Sequence, residues 1–260
     1  MEISEKDYRE LLNRLEKTER ENAKNTARNE VMNLTMKYFH YHQCFRDDLV
    51  VEECLAKKSP GIHSEHGASG VYEGYEHVAQ WWKKRPNPPG KILLHSITTP
   101  IIEVAGDCKT AKGVFILLGV ECCLTEKGIT PKVYLQDQPS EDGRDIFEQW
   151  GIAKYGIDYI VEDGEWRIWH FHAYDFARAK FNKGWITYAQ EMAKFQKETQ
   201  NSGEKPFNMV QYATDKEIFY CPPADRPSTF NFTYDGMTSR LELFPPIPKP
   251  YDTFKDTFEY

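Results

Sequence analysis

Apolar positions first recur at helical spacing near the start of the chain, where Tyr8, Leu11, Leu12 and Leu15 follow Ser4-Glu5-Lys6-Asp7, a capping-type helix start. Residues 16–30 are almost entirely polar, which fits either an exposed helix or a break between two helices. Apolar character returns at Val31, Leu34, Met36, Tyr38 and Phe39, and the spacing predicts a helix to about Phe45. A second short helix is expected from Leu49 to Ala56, ahead of the Ser59-Pro60-Gly61 turn. Ile62 to Val71 reads as a short strand, Glu73-Gly74 as a turn, and Tyr75 to Lys84 as a helix carrying Val78, Trp81 and Trp82. The Pro86-Asn87-Pro88-Pro89-Gly90 run ends that helix.

The pattern then becomes β. Ile92 to Val104 and Ala111 to Leu124 flank a hairpin-like Ala105-Gly106-Asp107 turn. A polar insertion from Thr125 to Arg144 precedes a strand from Phe147 to Val161. Glu162-Asp163-Gly164 turns the chain into a partner strand from Glu165 to Tyr174. Helices first and long antiparallel strands afterwards make an α+β fold, not an alternating parallel one. After Phe176 the character changes. Trp185 to Glu198 suits a helix, and the last 55 residues are rich in Pro, Phe and Tyr with little periodicity. Their aromatics argue against simple disorder, so this tail is expected to pack on its own domain or a neighbouring subunit. The organisation read from the chain is an N-terminal helical extension (1–30), an α+β domain (31–180) and a helix plus aromatic tail (181–260).

Charge and cysteine usage narrow the function. A formal net charge of −7 gives the wrong field for a phosphate backbone, so nucleic acid is set aside. The longest apolar run, Val114 to Leu118, is far short of a membrane span, and the first 30 residues lack a signal-peptide pattern. Six cysteines with no metal-type pairing fit a reduced, cytoplasmic protein. Nucleotide-binding glycine motifs and a serine-hydrolase elbow are missing, so no cofactor is expected.

Several short motifs, in order, carry a family resemblance. Lys37-Tyr38-Phe39, Gly70-Val71-Tyr72-Glu73-Gly74 before a helix, Thr110-Ala111-Lys112-Gly113 entering a strand, and Asp163-Gly164-Glu165-Trp166-Arg167-Ile168 resemble SnoaL-like proteins of the nuclear transport factor 2-like superfamily. The resemblance covers roughly residues 30 to 180. It implies a cone-shaped, curved antiparallel sheet wrapped around N-terminal helices (a cystatin-like roll) with a small-molecule pocket inside. The chain looks most similar to bile-acid dehydratases and, more remotely, scytalone dehydratase. The superfamily also holds polyketide cyclases, steroid isomerases, a dehydrochlorinase and lyases that release formaldehyde from lignin-derived diaryl compounds. By that resemblance Tyr38 matches the dehydratase Tyr and His95 the strand His. Gln43 and Gly119 stand where the dehydratases carry Asp, and Glu121 shares the face of Gly119.

The chemistry expected of these residues follows. His95, alternating with Leu93 and Ile97, could be a general base tuned by burial, or a hydrogen-bonded core imidazole. Tyr38 could protonate or bind a departing oxygen, or simply pack its ring. Tyr41 and His42 lie on Tyr38's side of the helix; with Gln43, His63, Glu121 and His172 they are candidate substrate-binding residues. His63 and Glu65 should share one strand face with His66 opposed, and His170 and His172 should point the same way, toward the pocket or the helix layer. His170 and His172 with Glu121 or His95 is the one conceivable metal set, and no metal is expected. The expectation is thus a cofactor-independent lyase, with His95 as base and Tyr38 as acid. It would eliminate water or formaldehyde from a bulky hydroxylated aromatic or steroid-like molecule. The alternatives are an isomerase or cyclase, or a non-catalytic binding protein, and a homodimer or homotrimer is expected.

Overall fold

The computed structural model describes residues 4–82, 87, 89–125, 127–128, 130–202, 210–213, 218–220, 222–230 and 234–255. One continuous helix, α1, runs from Glu5 to Gln43, so the polar stretch 16–30 is an exposed helix and not a break. Its start is capped by the Ser4 side chain, which accepts from the Asp7 backbone N–H. Ala27, Val31, Leu34, Thr35, Tyr38, Phe39 and His42 form its buried stripe, spaced three and four apart as one helix face requires. The expected second helix is instead a single turn, α2 (Asp47–Leu49), that runs on as a π-helix over Val50–Cys54. The short strand expected over residues 62–71 is split into β1 (His63–His66) and β2 (Gly70–Glu73), and α3 spans Tyr75–Trp82.

Four long strands follow: β3 (Ile92–Val104), β4 (Thr110–Thr125), β5 (Asp145–Glu162) and β6 (Glu165–Lys180). They join the short pair in a six-stranded sheet ordered β2-β1-β6-β5-β4-β3, all neighbours antiparallel except β1 with β6. The last strand passes its expected end at Tyr174 by six residues, a difference that matters for the site. Helix α4 (Trp185–Ser202) and a small pair, β7 (Val210–Ala213) with β8 (Ile218–Tyr220), complete the elements.

The fold is the cone-shaped α+β roll, with a curved, unclosed sheet. Its concave face takes the α1 stripe, the π-helix and α3, burying Val50, Cys54, Trp81 and Trp82 against Phe115, Ile157, Tyr159 and Phe171. Such side chains each contribute on the order of 1.5–3 kcal/mol when removed from water. Thr35 Oγ1 and the Tyr159 hydroxyl, buried among them, are paired at 2.7 Å. Among the described residues no helix is long and apolar enough to cross a membrane.

The convex face is covered by the C-terminal segment. Phe230 packs on Val114, Tyr174 and Phe176, and Phe244 meets Tyr174 edge-on. Gly106 and Asp107 donate backbone N–H groups to the carbonyls of Tyr251 and Asp252. A side chain at Gly106 would strike Asp252, so the β3–β4 turn must be bare there for the tail to close on it.

Candidate active site

The four long strands line a small pocket. Strand β3 contributes His95, and β4 contributes Leu117, Gly119 and Glu121. Strand β5 adds Gln149, Trp150, Gly151 and Tyr155, and β6 adds Asp175 and Arg178. Two irregularities in the sheet aim these groups. The β5–β6 register shifts between Ile152 and Ala153, which brings Ala153 opposite Asp175, and the extension of β6 carries Arg178 to the pocket. His95 is paired with Gly119 across β3 and β4. A Cβ at Gly119 would come within 3.0 Å of His95 Cδ2, so this glycine makes room for the imidazole.

His95 sits between two groups of unlike chemistry. Its Nε2 lies 3.4 Å from Glu121 Oε1, a long contact, and its ring is tilted against His42 with centroids 5.4 Å apart. Its Nδ1 is buried with no hydrogen-bond partner among the described residues. Burial alone would raise the Glu121 carboxyl. The His95 hydrogen bond and the charges of Arg178, His95 and Lys91 instead hold it well below the usual carboxylate range. Glu121 thus faces Nε2 as a hydrogen-bond acceptor, and Nδ1 is the ring nitrogen left without a partner among the described residues.

Arg178 is fixed from both sides, 3.3 Å from Asp175 Oδ1 and 3.9 Å from Glu121 Oε1. Asp175 is the main reason its guanidinium is held even more firmly charged than usual, against the cost of burial. Tyr155 is buried, and that burial, reinforced by Tyr38 and Asp175, pushes its hydroxyl well above the ordinary phenol range, so it remains a proton-bearing donor. The enclosed space is about 20 Å³, room for about one water. Trp150, on the lining, stacks on Phe181 with centroids 4.6 Å apart, and Phe181 is half-exposed.

The candidates named from sequence separate into groups. His95 and Glu121 meet in the pocket. His42 stands directly behind them, buried, with Nδ1 2.7 Å from Asp47 Oδ1, a partner no sequence pattern indicated. Tyr38 does not line the pocket: it is core, stacked on His42 and packed against Phe39, Trp82 and Phe171. Tyr41 donates its hydroxyl to Glu53, and Gln43 reaches His40 at the exposed side of α1, both away from the pocket.

His63 and His172 lie on the opposite face of the sheet, because alternation along β6 turns Phe171 inward and His170, His172 and Tyr174 outward. His63 stacks on His170, which pairs with Asp158 at 2.9 Å. His172 lies 3.1 Å from Glu65 and stacks on Tyr174 beneath the C-terminal segment. The two faces expected for His170 and His172 were the pocket and the helix layer, and they occupy neither. The conceivable metal set is therefore divided by the sheet itself. His66, opposed to His63 as alternation requires, stacks on Trp81 inside the core. Sequence reasoning missed Tyr155, Asp175, Arg178, Gln149 and Asp47. The one available signal was the alternation of Asp175 with apolar neighbours beyond Tyr174.

The model of the SnoaL-like domain family matches residues 23–172. No curated protein shows significant similarity to the chain. Solved structures similar to it include hexachlorocyclohexane dehydrochlorinase LinA-type3 from Novosphingobium barchaimii LL02, 14% identical, covering 61% of this chain and 92% of that one at a TM-score of 0.43. Another is a nuclear transport factor 2-like superfamily protein from Salmonella enterica serovar Typhimurium LT2, 15% identical, covering 62% of this chain and 99% of that one at a TM-score of 0.42.

Proposed function

For a chain that belongs to the SnoaL-like domain family, we propose a cofactor-independent lyase that works by acid–base chemistry at His95. The observation that carries this reading is the buried Nδ1, without a hydrogen-bond partner among the described residues, of an imidazole whose Nε2 faces an ionised carboxylate. That arrangement suits proton abstraction. Nδ1 takes a substrate proton, and Glu121 steadies the imidazolium that forms. Tyr155, kept protonated by its burial, donates to the departing or electron-accepting oxygen, the role first expected of Tyr38. Arg178 stabilises negative charge that develops near it, while Asp175 holds its geometry. The Asp47–His42 pair orients the wall behind His95.

The substrate is a hydroxylated aromatic or polycyclic molecule, and water or formaldehyde is the leaving group. Only the reacting end of such a molecule can enter the enclosed space, and its remainder would lie along Trp150 and Phe181. The same base without a leaving group would serve an isomerase or cyclase. The same polar groups would also suit a binding protein. The reading includes a cytoplasmic homo-oligomer.

Mass-spectrometric screening of purified, chelator-treated protein against hydroxylated steroids and lignin-type diaryl compounds tests it. Loss of water or formaldehyde with wild type and not with His95→Ala is expected. Ligand-dependent thermal stabilisation with no mass change in any compound would transfer the assignment to an isomerase or a binding protein.

A further inference from the structure

The first five turns of α1 bury no residue against the described part of the chain. From Glu5 to Ala23 every residue is exposed, and the first buried position is Ala27. At 1.5 Å per residue this extension projects roughly 30 Å. It carries one apolar stripe, Tyr8, Leu11, Leu12 and Leu15, with each side chain between 38% and 54% exposed. Most helical stability in proteins comes from packing an amphipathic face, and this stripe is left exposed.

Charge identifies the occupant. Residues 5–24 hold six acidic and six basic side chains, so the net −7 of the chain lies entirely outside them. A copy of the same helix is thus approached without the repulsion that the rest of the molecule would impose. The pattern is also self-complementary about a point between Leu11 and Leu12. Reversing one helix sets Tyr8 against Leu15 and Leu11 against Leu12. Arg9 then faces Glu16 along one flank, and Asp7 faces Arg14 along the other. A parallel pairing would bring two acidic bodies side by side, whereas the antiparallel one places them at opposite ends, farther apart than the roughly 8 Å over which salt screens charge. Antiparallel helix dipoles favour the same choice.

We propose that the exposed N-terminal half of α1 is the surface through which two copies of this chain dimerise, as an antiparallel helix pair centred between Leu11 and Leu12. This deepens the homo-oligomer reading given above and does not depend on the chemistry at His95.

Sedimentation equilibrium of the full chain and of Leu11→Glu/Leu15→Glu, with circular dichroism and melting of both, tests the surface. The expected result is a dimer for wild type and a 30.4 kDa monomer for the double variant. The variant should melt close to the wild-type monomer, since both side chains are exposed. A monomeric wild type would overturn the oligomer reading itself, and a variant that stays dimeric would overturn this surface while leaving that reading standing. Orientation is read by oxidising a mixture of Tyr8→Cys and Leu15→Cys chains and mapping the disulfide peptides. Links between positions 8 and 15 support the antiparallel pair, whereas 8-to-8 and 15-to-15 links overturn it.

Discussion

Replacing Glu65 by Gln should loosen the C-terminal segment from the sheet and destabilise the fold by about 3 kcal/mol. The Glu65 side chain is fully buried on the convex face. It accepts from the Ser228 hydroxyl, from the Thr229 N–H and hydroxyl, and from the Phe230 N–H at 3.1 Å, and it lies 3.1 Å from His172. Burial alone would raise its carboxyl, but His172, Ser228 and Thr229 together bring it down to about 2. The interval from the ordinary 4.5 to about 2, at roughly 1.4 kcal/mol per pH unit, amounts to about 3 kcal/mol. Gln is the same size but turns one acceptor into a donor aimed at other donors, which forfeits most of that sum. For a domain of this size the melting point should fall by about 6–12 °C. Protease should also cut between residues 222 and 255 sooner in the variant. Because the folded-state pKa is depressed, this stabilisation is present above about pH 4.5 and disappears as the pH falls toward 2. A Glu65→Gln protein that melts within 1 °C of wild type and resists protease equally would refute the reasoning.

Further outcomes follow from the same geometry. His63 is pushed down to about 4 by burial and by its stacked neighbour His170, so the folded state resists its protonation. Stability should therefore drop as pH falls from about 6.5 toward 4, and His63→Asn should flatten that slope in urea titrations. Tyr159→Phe removes the buried hydroxyl that meets Thr35 and should cost about 1–2 kcal/mol in denaturant unfolding, with turnover unchanged. Gly119→Ala should displace the His95 ring and lower turnover while the circular dichroism spectrum stays that of wild type.

The architecture was readable where local signals agree with the final packing. The α1 stripe and the turns at Gly106 and Asp163-Gly164 each announce themselves within a few residues, and the strand pairs built on those turns follow. The site was readable only in part. His95 and Glu121 lie on facing strands and alternation puts each on the inner face, while the register that brings them together is set past a shift between Thr98 and Ile101. Arg178 depends on a register shift at Ile152/Ala153 and on how far β6 runs, and Tyr155 lies past another shift at Asp158/Tyr159; none of these leaves a local pattern. Alternation puts His63 and His172 on one face, but what covers that face is a segment more than fifty residues away, whose Ser228 and Thr229 bind Glu65. Asp47 reaches His42 because Phe45 adopts a left-handed backbone that folds the chain back, a conformation unusual for a bulky residue and invisible to spacing rules.

The most direct test of the account compares wild type with His95→Gln on the best substrate of the turnover screen, measuring kcat/KM and, by calorimetry, ligand affinity. General-base chemistry at His95 predicts a loss of roughly 10²–10⁴-fold in kcat/KM, with affinity for the ligand held within a few-fold. Turnover that survives the substitution would contradict the account, as would a loss of affinity as large as the loss of turnover.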